Sequence, residues 1–357
     1  MTAARAVFGR WAAIVLLALA GLLAGLLAGC AQPAPPGVTV LTYASPYGPG
    51  HPFSRADQVW IDWVEEESGG SIQIRPNWSG QLLSSDMSLE ELRHGVADIG
   101  LITPIYSRGG THLTRIQTGF YSGADTMPQQ LALYRCMLAS SPQLRAETAG
   151  LKVLAVQGGP TVGIVTRDRR LNDLGDLKGL RLRAPTELLT VLGTLGADPV
   201  NMPMGEVYSA LAKGVIDGVI APADTFRSLH FAEVTGHFNT LVIPRGAYPA
   251  RAMGQERWDR LTPEHQALLE RGIAVWEAAM MTELETAWQQ GYDEAVAQGI
   301  EISSMSAAEQ ARFDALYLAD AQRNARALDR FGIDGEAVFR TARRSMRGGG
   351  AILCNEE

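Results

Sequence analysis

The 357-residue chain carries 31 Lys and Arg against 38 Asp and Glu, a net charge of −7, and 46% of its residues are hydrophobic. That length supplies two domains, or one large one, with ample material for a core, and the acidic balance excludes a nucleic-acid partner held by a broad basic surface. The six histidines show no metal-ligand spacing, and no phosphate-loop, G-x-S-x-G or H-E-x-x-H pattern is present, so no metal, no cofactor and no catalytic function is expected.

Arg5 and Arg10 lead into the apolar run Trp11 to Ala28, with no acidic residue among them. This is the pattern of a secretory signal, so residues 1–29 are set apart from the fold. The run ends Leu27-Ala28-Gly29-Cys30, which resembles the bacterial lipobox. The resemblance implies cleavage before Cys30, acylation of Cys30 and an anchor in the membrane, where several acyl chains hold stably and one is marginal. Residues 30–37 then read as a short Pro-rich tether. Without residues 1–29 the chain keeps 29 basic and 38 acidic residues, −9 net. A protein this acidic that binds an anion must gather positive charge at one place.

Val38 to Ala44 alternates as a first strand, and the Gly/Pro loop Ser45 to Pro52 follows its carboxyl end. Tyr47 and His51 sit in that loop, placed for ligand contact by the rule that open α/β sheets bind beyond their strand ends; an ordinary loop histidine is the competing reading of His51. Phe53 to Glu67 is helical, with Val59, Trp60, Trp63 and Val64 as its core stripe. Gly69-Gly70 stops it, Ser71 to Pro76 alternates as a second strand, and Trp78 just beyond is a cleft candidate. Ser88-Leu89-Glu90-Glu91 reads as a capping box opening a helix through Val96. A strand ends at Gly100, with Tyr106 beyond it as another cleft candidate. Gln129 to Ala139 is helical and Leu151 to Val156 is a strand. Cys136 lies in that helix and Cys354 near the end of the chain. Outside the cytoplasm the two are expected to pair, pinning the Gly-rich tail to the first domain.

Leu180-Arg181-Leu182-Arg183 alternates with period two, a half-buried strand whose arginines point the same way, and alternation does not choose between them. Pro185 ends it. Leucines at helical spacing over 186–195 stop at Gly196, a left-handed cap. A strand from Pro199 to Met202, a helix from Glu206 stopped by Gly214, and a strand over Val215 to Ile220 complete a βαβαβ run, which predicts a parallel sheet. Arg183, Pro203-Met204 and Ala221 all fall at strand ends, and a guanidinium there suits a carboxylate. Leu241 to Pro244 reads as a strand crossing back.

From Thr262-Pro263 to about Gln298 runs the longest helical pattern, with apolar residues at 269, 273, 276, 280, 284, 288, 292 and 296. Some 36 residues make roughly 54 Å of helix, while a domain of about 100 residues is roughly 33 Å across. The helix must therefore run from one lobe onto the other, with Gly272 and Gly291 as bends. A second capping box at Ser306 to Glu309 opens a helix to about Phe331, and Glu336 to Met346 is helical again.

Several of these segments together resemble the DctP family, the extracytoplasmic solute-binding proteins of tripartite (TRAP) transporters. They are D-L-K-G-L-R-L-R-A-P (176–185), L-G-A-D-P-V-N-M-P (195–203), E-V-Y-S-A-L (206–211) and G-V-I-D-G (214–218), with G-G-S-I-Q-I (69–74) and G-V-A-D-I-G (95–100) ahead of Tyr106. The resemblance implies a two-lobed periplasmic-binding-protein (clamshell) α/β fold. Each lobe would be a mixed, mostly parallel sheet flanked by helices, with a long helix spanning both. It implies lobe I at 38–157 and 245–285, lobe II at 158–244 and 286–347, and a tail at 348–357. It implies capture of a small organic acid and delivery to the small and large membrane subunits of a cation-coupled transporter; a ligand-sensing lipoprotein of the same fold is the alternative.

In the family the second arginine of R-x-R-x-P binds the carboxylate, which nominates Arg183. The usual G-F-R segment, whose arginine also helps hold the anion, is Gly158-Gly159-Pro160 here, with no arginine before Arg167. One arginine is thus expected to act alone, or on a ligand of lower charge. Ala221 fills a slot often taken by asparagine, and Asp224 nearby either replaces it or coordinates an amino group, with a helix cap or a surface role as the competing reading. Met204, at a commonly aromatic position, gives an adaptable apolar wall, and Tyr208 completes the candidates.

Overall fold

The computed structural model describes residues 36–107, 109–346 and 351–354. The predicted signal 1–29, Cys30 with the tether to residue 35, and Gly348 to Gly350 of the tail lie outside the described residues. Strands β1 (Thr39–Ala44), β2 (Ile72–Asn77), β3 (Ile99–Leu101), β4 (Leu151–Gln157), β5 (Val162–Thr166) and β6 (Arg181–Arg183) are followed by β7 (Asp198–Val200), β8 (Gly218–Ala221), β9 (His237–Ile243), β10 (Tyr248–Gly254) and β11 (Glu301–Ser303). They form two mixed sheets, ordered β2-β1-β3-β10-β4 and β11-β9-β5-β8-β6-β7. The βαβαβ run gives parallel pairs β6–β7 and β6–β8, because each crossover carries a helix. The chain passes between the sheets twice through extended backbone, from β4 to β5 and from β9 to β10. The helices that build the site are α1 (Pro52–Glu67), α2 (Ser88–Arg93), α3 (Met127–Ser140), α4 (Leu189–Thr194), α5 (Met204–Ala212), α6 (Thr225–Ser228), α7 (Pro263–Ala297), α8 (Ala307–Arg326) and α9 (Gly335–Ser345).

Helix α1 starts where His51 Nδ1 accepts the Phe53 amide at 3.2 Å, with Pro52 in the first turn. Its buried stripe is Phe53, Ala56, Trp60, Ile61 and Val64. Val59 is 45% exposed, which corrects its place in the core, since at 100° per residue it falls on the other side of the helix from that stripe. The capping box at Ser88 also fails. Ser88 Oγ instead accepts the Thr103 amide at 3.1 Å, Glu91 takes the Ser84 amide at 2.7 Å, and α2 ends at Arg93. The tertiary partners compete with the local cap and win, and Ser88 thereby fixes Thr103.

Helix α7 is one continuous 35-residue element, capped by Thr262 Oγ1 accepting the His265 amide at 3.2 Å. Its buried residues run Leu268, Leu269, Gly272, Trp276, Met280, Leu284, Ala287, Gly291 and Ala295. The predicted stripe is fully buried at Leu269, Trp276, Met280 and Leu284, Trp288 and Tyr292 are half-buried against the second sheet's core, and Val296 is 55% exposed. Each step of four residues advances 40° beyond a full turn, so repeated fours from Met280 rotate the stripe off the buried face. Gly272 and Gly291 are points of close approach. A Cβ would lie 2.6 Å from Trp60 Nε1 at the first and 2.2 Å from Ala223 O at the second. The helix therefore touches the first sheet's α1 with one half and the second sheet's 223–224 loop with the other.

Helix α8 begins in the second core with Phe313 and Tyr317 and ends in the first with Ala321 and Ala325, where Val338, Phe339 and Ala342 of α9 also pack. The Phe339 ring meets Phe120 edge-on at 5.2 Å. The apolar faces of late α8 and of α9 are buried on the first sheet's side. Cys136 of α3 and Cys354 are joined, with Cα atoms 5.0 Å apart and a sequence separation of 218. Closing so long a loop restricts the unfolded chain, so reduction is expected to lower the unfolding free energy by about 2–5 kcal/mol. Denaturant titrations with and without reductant check this, and an unchanged midpoint would remove it.

Under the first sheet lies a buried ionic group. Arg251 of β10 holds Asp57 of α1 through Nε at 2.7 Å and Nη2 at 3.0 Å, and Trp276 of α7 donates Nε1–H to Asp57 Oδ1 at 2.8 Å. Sheet, α1 and α7 are thus locked by one carboxylate that is 0% exposed. Among the described residues no helix is long and apolar enough to cross a membrane.

Candidate functional site

Between the carboxyl ends of the parallel strands and the two crossovers lies a cavity of about 110 Å³. Each parallel strand delivers residues at its tip: Tyr47 and His51 after β1, Thr103 to Tyr106 after β3, Pro185 after β6, Met204 after β7 and Pro222 after β8. The crossovers deliver Gln157 and Val162 on one path and Pro244, Arg245 and Tyr248 on the other. Leu101, Leu188, Ile220 and Leu229 supply apolar wall. A second space, lined by Pro46, Gly48, Arg55, Arg227 and His230, shares Tyr47, His51 and Asp224 with the first.

Arg183 ends β6 and is 3% exposed, while Arg181 on the same strand face is exposed beside Asp198 at 3.7 Å. Strand direction separates them: only residue 183 is at the carboxyl tip. Arg183 Nε donates to Met202 O at 3.0 Å, and Nη2 donates to the Tyr106 hydroxyl at 2.6 Å. The second bond runs from one sheet's loop to the other's strand. It fixes the plane of the guanidinium, as planar recognition of a carboxylate requires.

Arg245 at the tip of β9 also faces the cavity, and its Nη1 is buried without a hydrogen-bond partner. A Cβ on Gly159 would lie 2.7 Å from that Nη1, so the glycine found in place of the G-F-R segment leaves the room Arg245 occupies. The signal was legible: Arg245 follows the crossing strand and precedes Gly246, whose φ of +74° favours glycine.

Two acids share the cavity. Asp224 and Glu187 are each 4% exposed, and Asp224 Oδ1 and Glu187 Oε2 have no partner. Burial pushes both carboxyls above their usual range, opposed at Asp224 chiefly by Arg245 and at Glu187 chiefly by the Thr118 hydroxyl. Asp224 Oδ2 accepts from Ser228 Oγ at 3.0 Å, and its side chain makes no helix cap.

His51 stacks on Tyr47 with ring centres 4.0 Å apart, and burial, then Arg245, push its pKa down to about 3. The folded state thus binds fewer protons than the unfolded chain between pH 3 and about 6.5. His51 is expected to cost stability as pH falls through that window, by up to about 1.4 kcal/mol per unit. The stability difference between wild type and His51→Gln should change sharply from pH 7 to 5, and a constant difference would count against it.

Of the predicted residues, the cavity brings together Arg183, Tyr106, Met204, Tyr47 and Asp224. Three fall outside it. Ala221 is 0% exposed and turned into the core with Phe226, because on β8 its neighbours Ile220 and Pro222 take the cavity face. Trp78 packs on Tyr43 with ring centres 5.6 Å apart. Tyr208 donates to Glu233 Oε2 at 2.8 Å on the outer face of α5. Arg245, Glu187, Thr103, Thr118, Gln157 and Tyr248 were not foreseen; all but Thr118 and Glu187 stand at strand ends.

Residues 44–325 match the family described as bacterial extracellular solute-binding protein, family 7. The fold is similar to that of a TRAP solute-binding protein from Rhodoferax ferrireducens solved with benzoate, with a TM-score of 0.79 at 24% identity over 86% of this chain and 97% of that one. It is also similar to a marine-metagenome TRAP solute-binding protein specific for aromatic acid ligands, with a TM-score of 0.76 at 24% identity over 86% and 98% of the two chains. In sequence it is 39% identical over 196 residues to the sialic acid-binding periplasmic protein SiaP of Vibrio cholerae, which is half of this chain and 56% of that protein.

Proposed function

Because the chain belongs to family 7 of the bacterial extracellular solute-binding proteins, the DctP family, we propose that it captures a small organic acid in this cavity and delivers it to the small and large membrane subunits of a cation-coupled TRAP transporter. It is a solute-binding protein and not an enzyme. The observation that carries the acid reading is the buried Arg183 guanidinium, held in plane by Met202 O and Tyr106, with Arg245 Nη1 unpartnered in the same cavity. An anion entering there gains charge-assisted bonds in a medium poorer in water than the surface. The volume of about 110 Å³ is near the ~150 Å³ that holds one benzene ring, which favours a short-chain or single-ring acid. The relatives solved with benzoate and with metahydroxyphenylacetate support that size class.

Binding works by closure of the two lobes. A ligand shifts the open–closed balance only through contacts it prefers in the closed state, and walls from both sheets supply them. The anchor is a lipid on Cys30, which holds the binding lobes outside the cytoplasm at the cell membrane, on its periplasmic side or outer face; mass spectrometry of membrane-extracted protein should find a diacylglycerol-modified Cys30, and an unmodified N-terminus there would remove the anchor. A thermal-shift screen over small organic acids tests the function itself. A ligand at 100 times its Kd stabilises the fold by about 2.7 kcal/mol, and a screen in which no acid raises the melting temperature overturns the reading.

A further inference from the structure

Arg245 and Asp224 face the same cavity from opposite chain segments, yet among the described residues neither is in an ion pair. Both keep a buried atom with no hydrogen-bond partner, a donor at Arg245 Nη1 and an acceptor at Asp224 Oδ1. Buried polar atoms of native proteins are nearly always satisfied, so an orphaned donor and an orphaned acceptor in one cavity describe what completes it. A simple carboxylate completes half. It serves Arg245 and Arg183 and leaves Asp224 Oδ1 bare, with its own charge facing an acid. A carboxylate with a hydrogen-bond donor on the adjacent carbon completes both, since its two ends differ in polarity as the two walls do.

Other features of Asp224 agree with a fixed recognition role. Ser228 Oγ holds its Oδ2 at 3.0 Å, which leaves Oδ1 as the unpartnered oxygen of a residue that lines the cavity. Its backbone is fixed by α7, since a Cβ on Gly291 would lie 2.5 Å from Asp224 Cα. Glu187 Oε2 is a second buried acceptor without a partner in the lining, but the charges acting on Glu187 are Arg183 and Arg115, whereas Arg245 is the foremost charge acting on Asp224, so Asp224 is the acid matched to the unpartnered Arg245 Nη1.

We infer that the acid taken here carries a hydroxyl or ammonium donor next to its carboxylate, the carboxylate going to Arg183 and Arg245 and the donor to Asp224 Oδ1. This rests on the acid-binding reading above and narrows it. A hydrogen bond to a charged partner sets the expected preference at roughly 10- to 100-fold over the same skeleton without the donor.

Calorimetry on the full mature protein with two matched sets tests it: propionate, lactate and alanine, then phenylacetate, mandelate and phenylglycine. The expected result is that a donor-bearing member of a set binds at least about tenfold tighter than its plain acid, with lactate or mandelate against alanine or phenylglycine telling hydroxyl from ammonium. Asp224→Ala should erase that preference, with circular dichroism reporting an intact fold. Asp224→Leu, which also removes the acceptor while keeping the side-chain volume, serves if the alanine variant does not fold. Plain acids binding as tightly as their donor-bearing partners, or a preference that survives Asp224→Ala, overturns the inference and leaves acid binding standing. Failure of every acid in the wider screen removes both.

Discussion

Arg183→Ala is expected to weaken binding of the acid identified by screening by about 2–5 kcal/mol, roughly 30- to 4,000-fold, with circular dichroism unchanged. The size follows from burial. Arg183 is 3% exposed, so a carboxylate drawn to it sheds its water, and alanine would leave that carboxylate with Arg245 as its one guanidinium partner in the cavity lining. Arg183→Lys keeps the charge but not the fork. A lysine has no second nitrogen to hold both Met202 O and the Tyr106 hydroxyl while facing a ligand, so an intermediate loss is expected. Titration calorimetry of the three proteins decides it. Equal affinity in Arg183→Ala would move the anion elsewhere, with Arg245 as the first place to look.

The largest loss of stability is expected from Asp57→Ala. Removing it strips the buried Arg251 of its partner and the Trp276 N–H of its acceptor together. An uncompensated buried charge of this kind costs about 3–5 kcal/mol, which at this chain size is on the order of 10 °C in melting temperature. The double variant Asp57→Leu with Arg251→Met should lose less than the single one, because it removes the charge along with its partner. Chemical denaturation of both variants measures this; a single variant within about 0.5 kcal/mol of wild type would mean water or rearrangement relieves Arg251.

Local pattern sufficed for much of the fold. The alternation at β1 and β6, the glycines that stop helices at 69, 196 and 214, and the Thr262-Pro263 start of α7 act through neighbours in sequence, and the structure keeps each of them. Where tertiary partners competed, local reading gave way. Ser88 carries a capping pattern but bonds Thr103, 15 residues on. Val296 fits a helical stripe but meets water, because what covers that end of α7 is set by the 223–224 loop. The tail helix α9 carries nothing in its own pattern that says which sheet it will cover.

The same division holds at the site. The sequence by itself determined that residue 183 is an arginine at a strand's carboxyl tip, and that tips of parallel strands converge, since strand direction and chain order are one-dimensional facts. Only the tertiary structure decided that Arg245, 62 positions on, enters the space left by Gly159, and that Asp224 and Glu187 are buried facing it. Those placements depend on how two separate sheets are set against each other through two crossovers and one long helix, and distances across such a gap are fixed by packing in three dimensions, which no spacing along the chain encodes.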